Sequence, residues 1–196
     1  MNLREINHKL YGKLNILTSV SGAIILLAIW AFFEASIWFV IPDFLLLILC
    51  VFSPKKYNIF FITCIIFSLI GISAHFLFTS QYLDISSKML MSTPFLNENM
   101  LDIVDSRYNQ EGVIAALWQT TTIVPVKVWT FKAVEHKFNF FSYLLFIAIS
   151  RAIRMFLVCF IFSYLGKRLS NFLRKNTLQF LLLYLIVFFI VLLRIT

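Results

Sequence analysis

Charged side chains make up only 13% of this 196-residue sequence, and acids are scarcer than bases: nine Asp and Glu against 17 Lys and Arg, a formal net charge of +8. A soluble domain carries about a quarter of its residues as charges, so an ordinary polar coat is excluded. There are only three cysteines. Cys50, Cys64 and Cys159 fall in apolar stretches without C-x-x-C spacing, which excludes a disulfide framework or a zinc site read from spacing. His8, His75 and His136 are equally scattered and form no metal-ligand cluster. The sequence has no Gly-rich phosphate loop and no nucleophile–base–orienter set, so neither an enzyme nor a cofactor is expected. The basic start resembles a signal peptide, but no A-x-A-like cleavage site follows, and the segment reads as retained.

What the sequence does have is hydrophobic surface. Hydrophobic residues are 61% of the chain, aromatics 17%, and the mean hydropathy is +0.90. At about 20 apolar residues per crossing of a hydrocarbon core, the length allows about four to six membrane segments in one compact body. The basic residues sit beside hydrophobic runs, where they act as topology signals and contacts to anionic lipid, so nucleic acid is not expected as a partner.

Residues 1–13 mix Leu3, Ile6, Leu10 and Tyr11 with Arg4, Lys9 and Lys13, which describes either a short amphipathic surface helix or a frayed tail. From Leu14 to Pro54 the stretch is apolar apart from Glu34 and Asp43, is too long for one span, and is broken by Pro42. Tyr57–Ser80 carries no formal charge and predicts a full crossing. Gln81–Glu111 is polar, two cations against five acids, with a net charge of −3, and reads as a loop that has room for a short surface helix. Residues 112–131 are apolar but short and are broken at Pro125. Phe138–Leu165 is long enough to cross yet carries Arg151 and Arg154 near its middle. Residues 167–175 are a basic loop, and 176–194 form a last apolar run. No internal repeat is visible by identity.

Lys and Arg then orient the chain. The N-terminus, the Lys55–Lys56 turn and the loop with Lys167, Arg168, Arg174 and Lys175 belong on the cytoplasmic side, with the acidic 81–111 segment outside. Residues 14–54 must then leave and return to the inner face, and 112–131 to the outer face. The expected fold is an all-α integral membrane protein, with two opposed re-entrant helical hairpins, an inverted repeat, and about three full transmembrane helices. Such hairpins are tolerated where protein or a water-filled cavity satisfies the backbone. The alternative for 14–54 is an ordinary hairpin of two full spans. Its second leg, Phe44–Ser53, is only about 15 Å long at 1.5 Å per residue, which favours the re-entrant form.

Arg151 and Arg154 are the strongest single signal. Each central Arg costs roughly 2.5–3.5 kcal/mol on insertion scales, and a spacing of three puts both on one helix face. Two guanidinium groups there hold a phosphate or pair with the carboxylates of Glu34 and Asp43; a purely internal ion-pair lock is the structural alternative. Burial raises a carboxyl pKa and a nearby Arg lowers it, which makes Glu34 and Asp43 candidates for proton exchange. Lys127 either joins the site or snorkels to the interface. Thr120, Thr121 and Thr122 offer hydroxyls to a ligand or to freed backbone carbonyls, the second reading carrying more weight. His75, alone in its span, fits a proton relay or simple hydrogen-bonded packing.

Glu34-Ala-Ser-Ile-Trp-Phe-Val-Ile-Pro42-Asp43 resembles the E-S-x(n)-P-I-P-x/D-x-L-L pattern of the DedA family, also called the VTT or SNARE-associated family. Thr122-Ile-Val-Pro125-Val-Lys127-Val-Trp-Thr130 is similar to the T-P-I-P-x-K-V-x-T segment of its YqaA-like branch. Ser150-Arg151-Ala-Ile-Arg154-Met-Phe156 is similar to that branch's G-R-x-x-R-F, and Tyr164-Leu-Gly166 to the Y-G that follows. The chain departs from these patterns at Val40 and Ile123, where the first proline of each P-I-P is missing, and at Ser150 in place of Gly. The resemblance spans residues 30–166 and implies opposed re-entrant hairpins, proton-motive-force dependence and translocation of polyprenyl phosphates or phospholipids.

The expectation is a proton-coupled lipid translocase of a bacterial-type inner membrane with a cytoplasmic N-terminus. Arg151, Arg154 and Lys127 would hold the phosphate of an anionic lipid, Glu34 and Asp43 would exchange protons, and Pro42 and Pro125 would break the hairpins. A homo-oligomer stays open. The alternative is a non-transporting assembly factor or scaffold whose buried charges are structural.

Overall fold

A computed structural model of the chain describes residues 3–19, 21–37, 43–93, 96–122 and 124–195, without the side chains of 3 and 191–195. Among the described residues every regular element is helical. Ten α-helices follow in order: α1 Leu3–Ser19, α2 Ser21–Ser36, α3 Asp43–Phe52, α4 Tyr57–Gln81, α5 Leu83–Met91, α6 Glu98–Glu111, α7 Val126–Glu135, α8 Phe140–Arg168, α9 Ser170–Lys175 and α10 Thr177–Ile195. Two 3₁₀ turns, Pro54–Lys56 and Gly112–Thr120, precede α4 and α7.

Two of these segments, Pro54–Gln81 and Phe140–Arg168, are long and apolar enough to cross a membrane, and the pair α1 and α2 makes a third if it is one bent span. The 25 residues of α4 reach about 37 Å at 1.5 Å per residue, beyond a hydrocarbon core of about 30 Å. Both helices leave large apolar side chains exposed: Ile59, Ile62, Ile66, Ile70 and Leu77 on α4, and Leu145, Ile149, Ile153, Phe156 and Phe160 on α8. That is far more apolar surface than a water-soluble monomer leaves uncovered. The C-terminal run is the helix Thr177–Ile195, with Leu182, Leu183, Ile186 and Phe189 equally exposed.

The helix ends follow local chemistry. Asn97 caps α6, its side chain accepting from the Met100 N–H at 3.0 Å. Gly112, at φ 64°, ends α6 in a conformation that favours glycine. Asn139 starts α8 by accepting from the N–H groups of Phe141 at 2.9 Å and Ser142 at 3.2 Å. Pro125, with φ −59° and ψ 145°, sits just ahead of α7, where a missing N–H is harmless. Pro42 lies outside the described residues.

The chain divides into two compact units. The first comprises Met1–Ala28, Pro42–Cys64 and Met155–Arg194. Its core gathers Tyr11, Val51, Phe52 and Leu173. Gly166 lies so close to Val51 that a Cβ there would stand 2.4 Å from the Val51 carbonyl oxygen, so only glycine lets α8 meet α3. Three hydrogen bonds join the N-terminal helix to the C-terminal segment: Asn7 Nδ2 to the Lys175 oxygen, Thr177 Oγ1 to the Asn7 oxygen, and the Leu178 N–H to Asn7 Oδ1.

The second unit comprises Ile29–Ile41, Ile65–Arg154 and Ile195–Thr196. Its core is built on α7, where Val126, Lys127, Val128, Trp129, Thr130, Phe131 and Ala133 are all buried. A helix hydrophobic on nearly every face belongs inside a protein. Trp129 is held by Tyr108, whose hydroxyl donates to the Trp129 carbonyl at 3.1 Å, and Thr130 exchanges a hydroxyl bond with Tyr143 at 2.8 Å.

The charges divide unevenly between the units. The first holds ten of the 17 Lys and Arg but only Glu5 and Asp43 as acids, a net charge of +8. The second holds seven of each and is neutral.

Candidate functional site

The second unit brings three of the sequence-selected ionisable residues out of solvent. Glu34, on α2, and Arg151, on α8, form a two-pronged ion pair: Nη2 to Oε2 at 2.5 Å and Nη1 to Oε1 at 3.4 Å, with side chains 6% and 4% exposed. The guanidinium turns its N–H edge to both carboxylate oxygens, an arrangement that helps repay two desolvated charges. Ser150, the neighbour of Arg151, is anchored from the other side. Its hydroxyl lies 2.6 Å from Thr120 Oγ1 and 3.1 Å from the Leu117 oxygen, and has one hydrogen to give to either. The Thr120 hydroxyl is within 2.8 Å of the Ser150 carbonyl, to which it donates when Ser150 supplies the hydrogen between the two hydroxyls or turns to Leu117. The hydroxyls at 120 and 150 thus serve the backbone and fix the turn of α8 that carries Arg151.

Lys127 lies in the first turn of α7 and is 2% exposed. Its Nζ donates to the Ile37 carbonyl at 3.0 Å, just past the end of α2, and it lies within the electrostatic reach of Glu34.

Beside Lys127 is a cavity of about 350 Å³, lined by Phe32, Ser36, Ile37, Ala74, His75, Phe78, Ser86, Met89, Leu90, Thr93 and Lys127. Apolar side chains make most of its wall, and its size falls in the range of about 300–1,000 Å³ typical of ligand sites. His75 touches Lys127 here, and its Nε2 is buried with no hydrogen-bond partner among the described residues. The sequence offered no reason to join His75 to Lys127, since they lie on different helices 52 positions apart.

The other selected residues lie elsewhere. Asp43 opens α3 in the first unit and is half-buried. Arg154 is half-buried on α8 in the second. Pro125 separates the 3₁₀ turn Gly112–Thr120 from α7. Among the described residues no group of three or more His, Cys, Asp and Glu is placed to hold a metal ion.

The polar stretch 81–111 holds two helices, α5 and α6, and a charge cluster that the sequence does not announce. Asp105 on α6 accepts from His136 Nε2 at 3.0 Å and from Lys132 Nζ at 3.3 Å, and Lys132 also meets Glu135 at 2.6 Å. The His136 bond, followed by Lys132, holds the Asp105 carboxyl below its ordinary value. Partial burial works against the Lys132 charge, but Glu135 and Asp105 outweigh it and leave the ammonium pKa raised. The cluster ties α6 to the end of α7.

The fold so described is that of an all-α protein with two or three helices fit to cross a membrane. Compared with models of known protein families, with curated proteins and with solved structures, the chain matches none. The likeness to the DedA family is carried by the short motifs alone.

Proposed function

We propose that this protein is a multi-pass membrane protein that moves an anionic lipid, a polyprenyl phosphate or a phospholipid, between leaflets with proton coupling. The observation that carries the reading is the burial of Glu34, Arg151 and Lys127 in one unit of a chain otherwise so apolar. Ionisable residues inside membrane segments are expensive and mark substrate or proton pathways. In this reading a proton on Glu34 dissolves its pair with Arg151, freeing the guanidinium for a lipid phosphate; Lys127 and Arg154 share that phosphate. Asp43 is the second proton site. The short helical arms on either side of Pro125, and those flanking 38–42, would be re-entrant hairpins in an inner membrane with the N-terminus cytoplasmic. The order of the three DedA-like motifs supports the same reading.

The mutual closure of Glu34 and Arg151 favours a second reading, a scaffold whose charges only fasten helices. Reconstitution into liposomes separates the two. Wild type, Glu34→Gln and Arg151→Ala are compared for transbilayer movement of a reportable polyprenyl phosphate and phospholipid, with and without a pH gradient. Movement lost in both inserted variants is the translocase result. No movement by well-folded wild type leaves the scaffold.

A further inference from the structure

The cavity of the second unit is polarised from mouth to floor. At its rim Ile37, Phe78 and Met89 are 59%, 38% and 47% exposed, whereas Lys127, Ser86 and Leu90 on its inner wall are buried. Water does not suit an apolar mouth of this kind; hydrocarbon does. Its depth agrees. His75 and Phe78 lie six and three residues before the end of α4. At 1.5 Å per residue that is about 5–9 Å from the helix end, the level where acyl chains meet headgroups.

The helix α5 lies at the same level. It leaves α4 after the single residue Tyr82, and it is pinned to it by the hydroxyl bond between Thr79 and Ser86 at 2.8 Å. Leu83, Ile85, Met89 and Met91 remain exposed on it. A short helix with apolar side chains exposed beside a span lies in the acyl boundary.

The inner end supplies one cationic group, Lys127. The Lys127 ammonium has three donors, of which one goes to the Ile37 carbonyl among the described residues. The His75 Nε2 beside it adds a second polar atom in need of a partner. Arg151 does not line the cavity and is paired with Glu34, whose carboxylate also lies within the electrostatic reach of Lys127.

We infer that this cavity is a lipid site that takes a singly charged anionic head against Lys127 and His75, with the acyl chain leaving past Phe78 and Met89 into the bilayer. The inference rests on the membrane part of the proposed function and not on transport. It moves the head from Arg151 to Lys127 and favours a monoanion, a phosphodiester or carboxylate, over a doubly charged phosphate.

The test uses the full chain in zwitterionic phosphatidylcholine nanodiscs, with photoactivatable phosphatidylglycerol and an uncharged diacylglycerol of the same chains. Labelled peptides are read by mass spectrometry. Wild type should give phosphatidylglycerol adducts around Phe78 and Met89 at least about tenfold above diacylglycerol, the equivalent of one charge-assisted hydrogen bond. Lys127→Met should remove that preference. Met89→Trp, a change at an exposed rim position that leaves Lys127 in place, should block adducts from both probes and decides the matter if Lys127→Met does not fold. Equal labelling by the two probes, or labelling unchanged in Met89→Trp, overturns the site. So does loss of the adduct to millimolar inorganic phosphate, which would assign Lys127 to a free anion. Adducts without transbilayer movement in liposomes would sink the translocase and leave this site standing; movement without adducts would do the reverse.

Discussion

Glu34 and Arg151, 117 residues apart in sequence, meet at 2.5 Å with both side chains withdrawn from solvent. Removing one charge strands the other, whereas removing both leaves an apolar contact. Arg151→Met should therefore destabilise the protein by about 3–5 kcal/mol, and the double variant Glu34→Met/Arg151→Leu should recover most of that loss. Thermal unfolding in detergent measures both. A double variant as unstable as the single one would mean that the pair's worth lies in the network around it, not in charge balance.

Two glycines should respond in opposite directions to the same change. A Cβ on Gly166 would stand 2.4 Å from the Val51 carbonyl oxygen, and backbone cannot step aside. Gly166→Ala should push α8 off α3 and lower stability by about 1–3 kcal/mol. Gly12, within α1, has nothing within 4 Å of the added methyl. Gly12→Ala should raise stability by up to about 1 kcal/mol, the helix-propensity difference. Unfolding midpoints of the two variants in the same detergent check the contrast.

The long helices were legible because each is a long, predominantly apolar run: 57–80 and 138–165 were expected, and Tyr57–Gln81 and Phe140–Arg168 are found. The charges at 34, 127 and 151 stood out because they interrupt such runs. What the sequence left open is which of them meet. Arg151 had a phosphate and two carboxylates as possible partners, and only the fold brings Glu34 against it while Asp43 falls in the other unit. The closeness of His75 to Lys127 was hidden for a related reason: a single imidazole in an apolar helix has no periodic signature to say what it faces, and Lys127 comes from a distant segment. The helices α5 and α6 were only partly legible: a polar stretch of mixed charge offered a loop with at most one short surface helix until Asn97 and Gly112 are seen capping α6.

The Asp105 cluster should make the second unit sensitive to acid. Asp105 keeps its carboxylate below the ordinary 3.8, first through His136 and then through Lys132. A depressed carboxyl stabilises the fold fully above its unfolded value and loses that contribution as the pH falls through the folded value. Between pH 5 and 8 this group should therefore contribute a constant amount, with the loss confined to below about pH 4. Since Asp105 is 39% exposed, the effect stays within about 1 kcal/mol. Asp105→Asn should lower the unfolding midpoint slightly at pH 6 and flatten the difference between pH 6 and pH 3.5. A variant whose acid sensitivity equals that of wild type would remove Asp105 from the account.

The concentration of the whole net charge in the first unit makes a prediction about sidedness. The N-terminal helix is bonded to the C-terminal segment through Asn7. Lys56 Nζ donates to the Ser19 carbonyl, and Asn15 Nδ2 to the Phe52 carbonyl, which ties the Lys55–Lys56 turn to the end of α1. The three basic segments therefore all border α1, the C-terminal one near its start and the Lys55–Lys56 turn at its end, and they share one face of the membrane if α1 runs along the surface, as the positive-inside rule requires. If α4 crosses the bilayer, the acidic residues after Gln81 lie on the opposite face. Native cysteines give little background to a thiol probe, since Cys50, Cys64 and Cys159 are all buried. In sealed inverted vesicles a membrane-impermeant maleimide should modify Lys13→Cys, Lys55→Cys and Lys175→Cys, and should reach Asp102→Cys only after the membrane is opened. Modification of Asp102→Cys together with the other three would show that α4 does not cross, and the lipid site at its end would go with it.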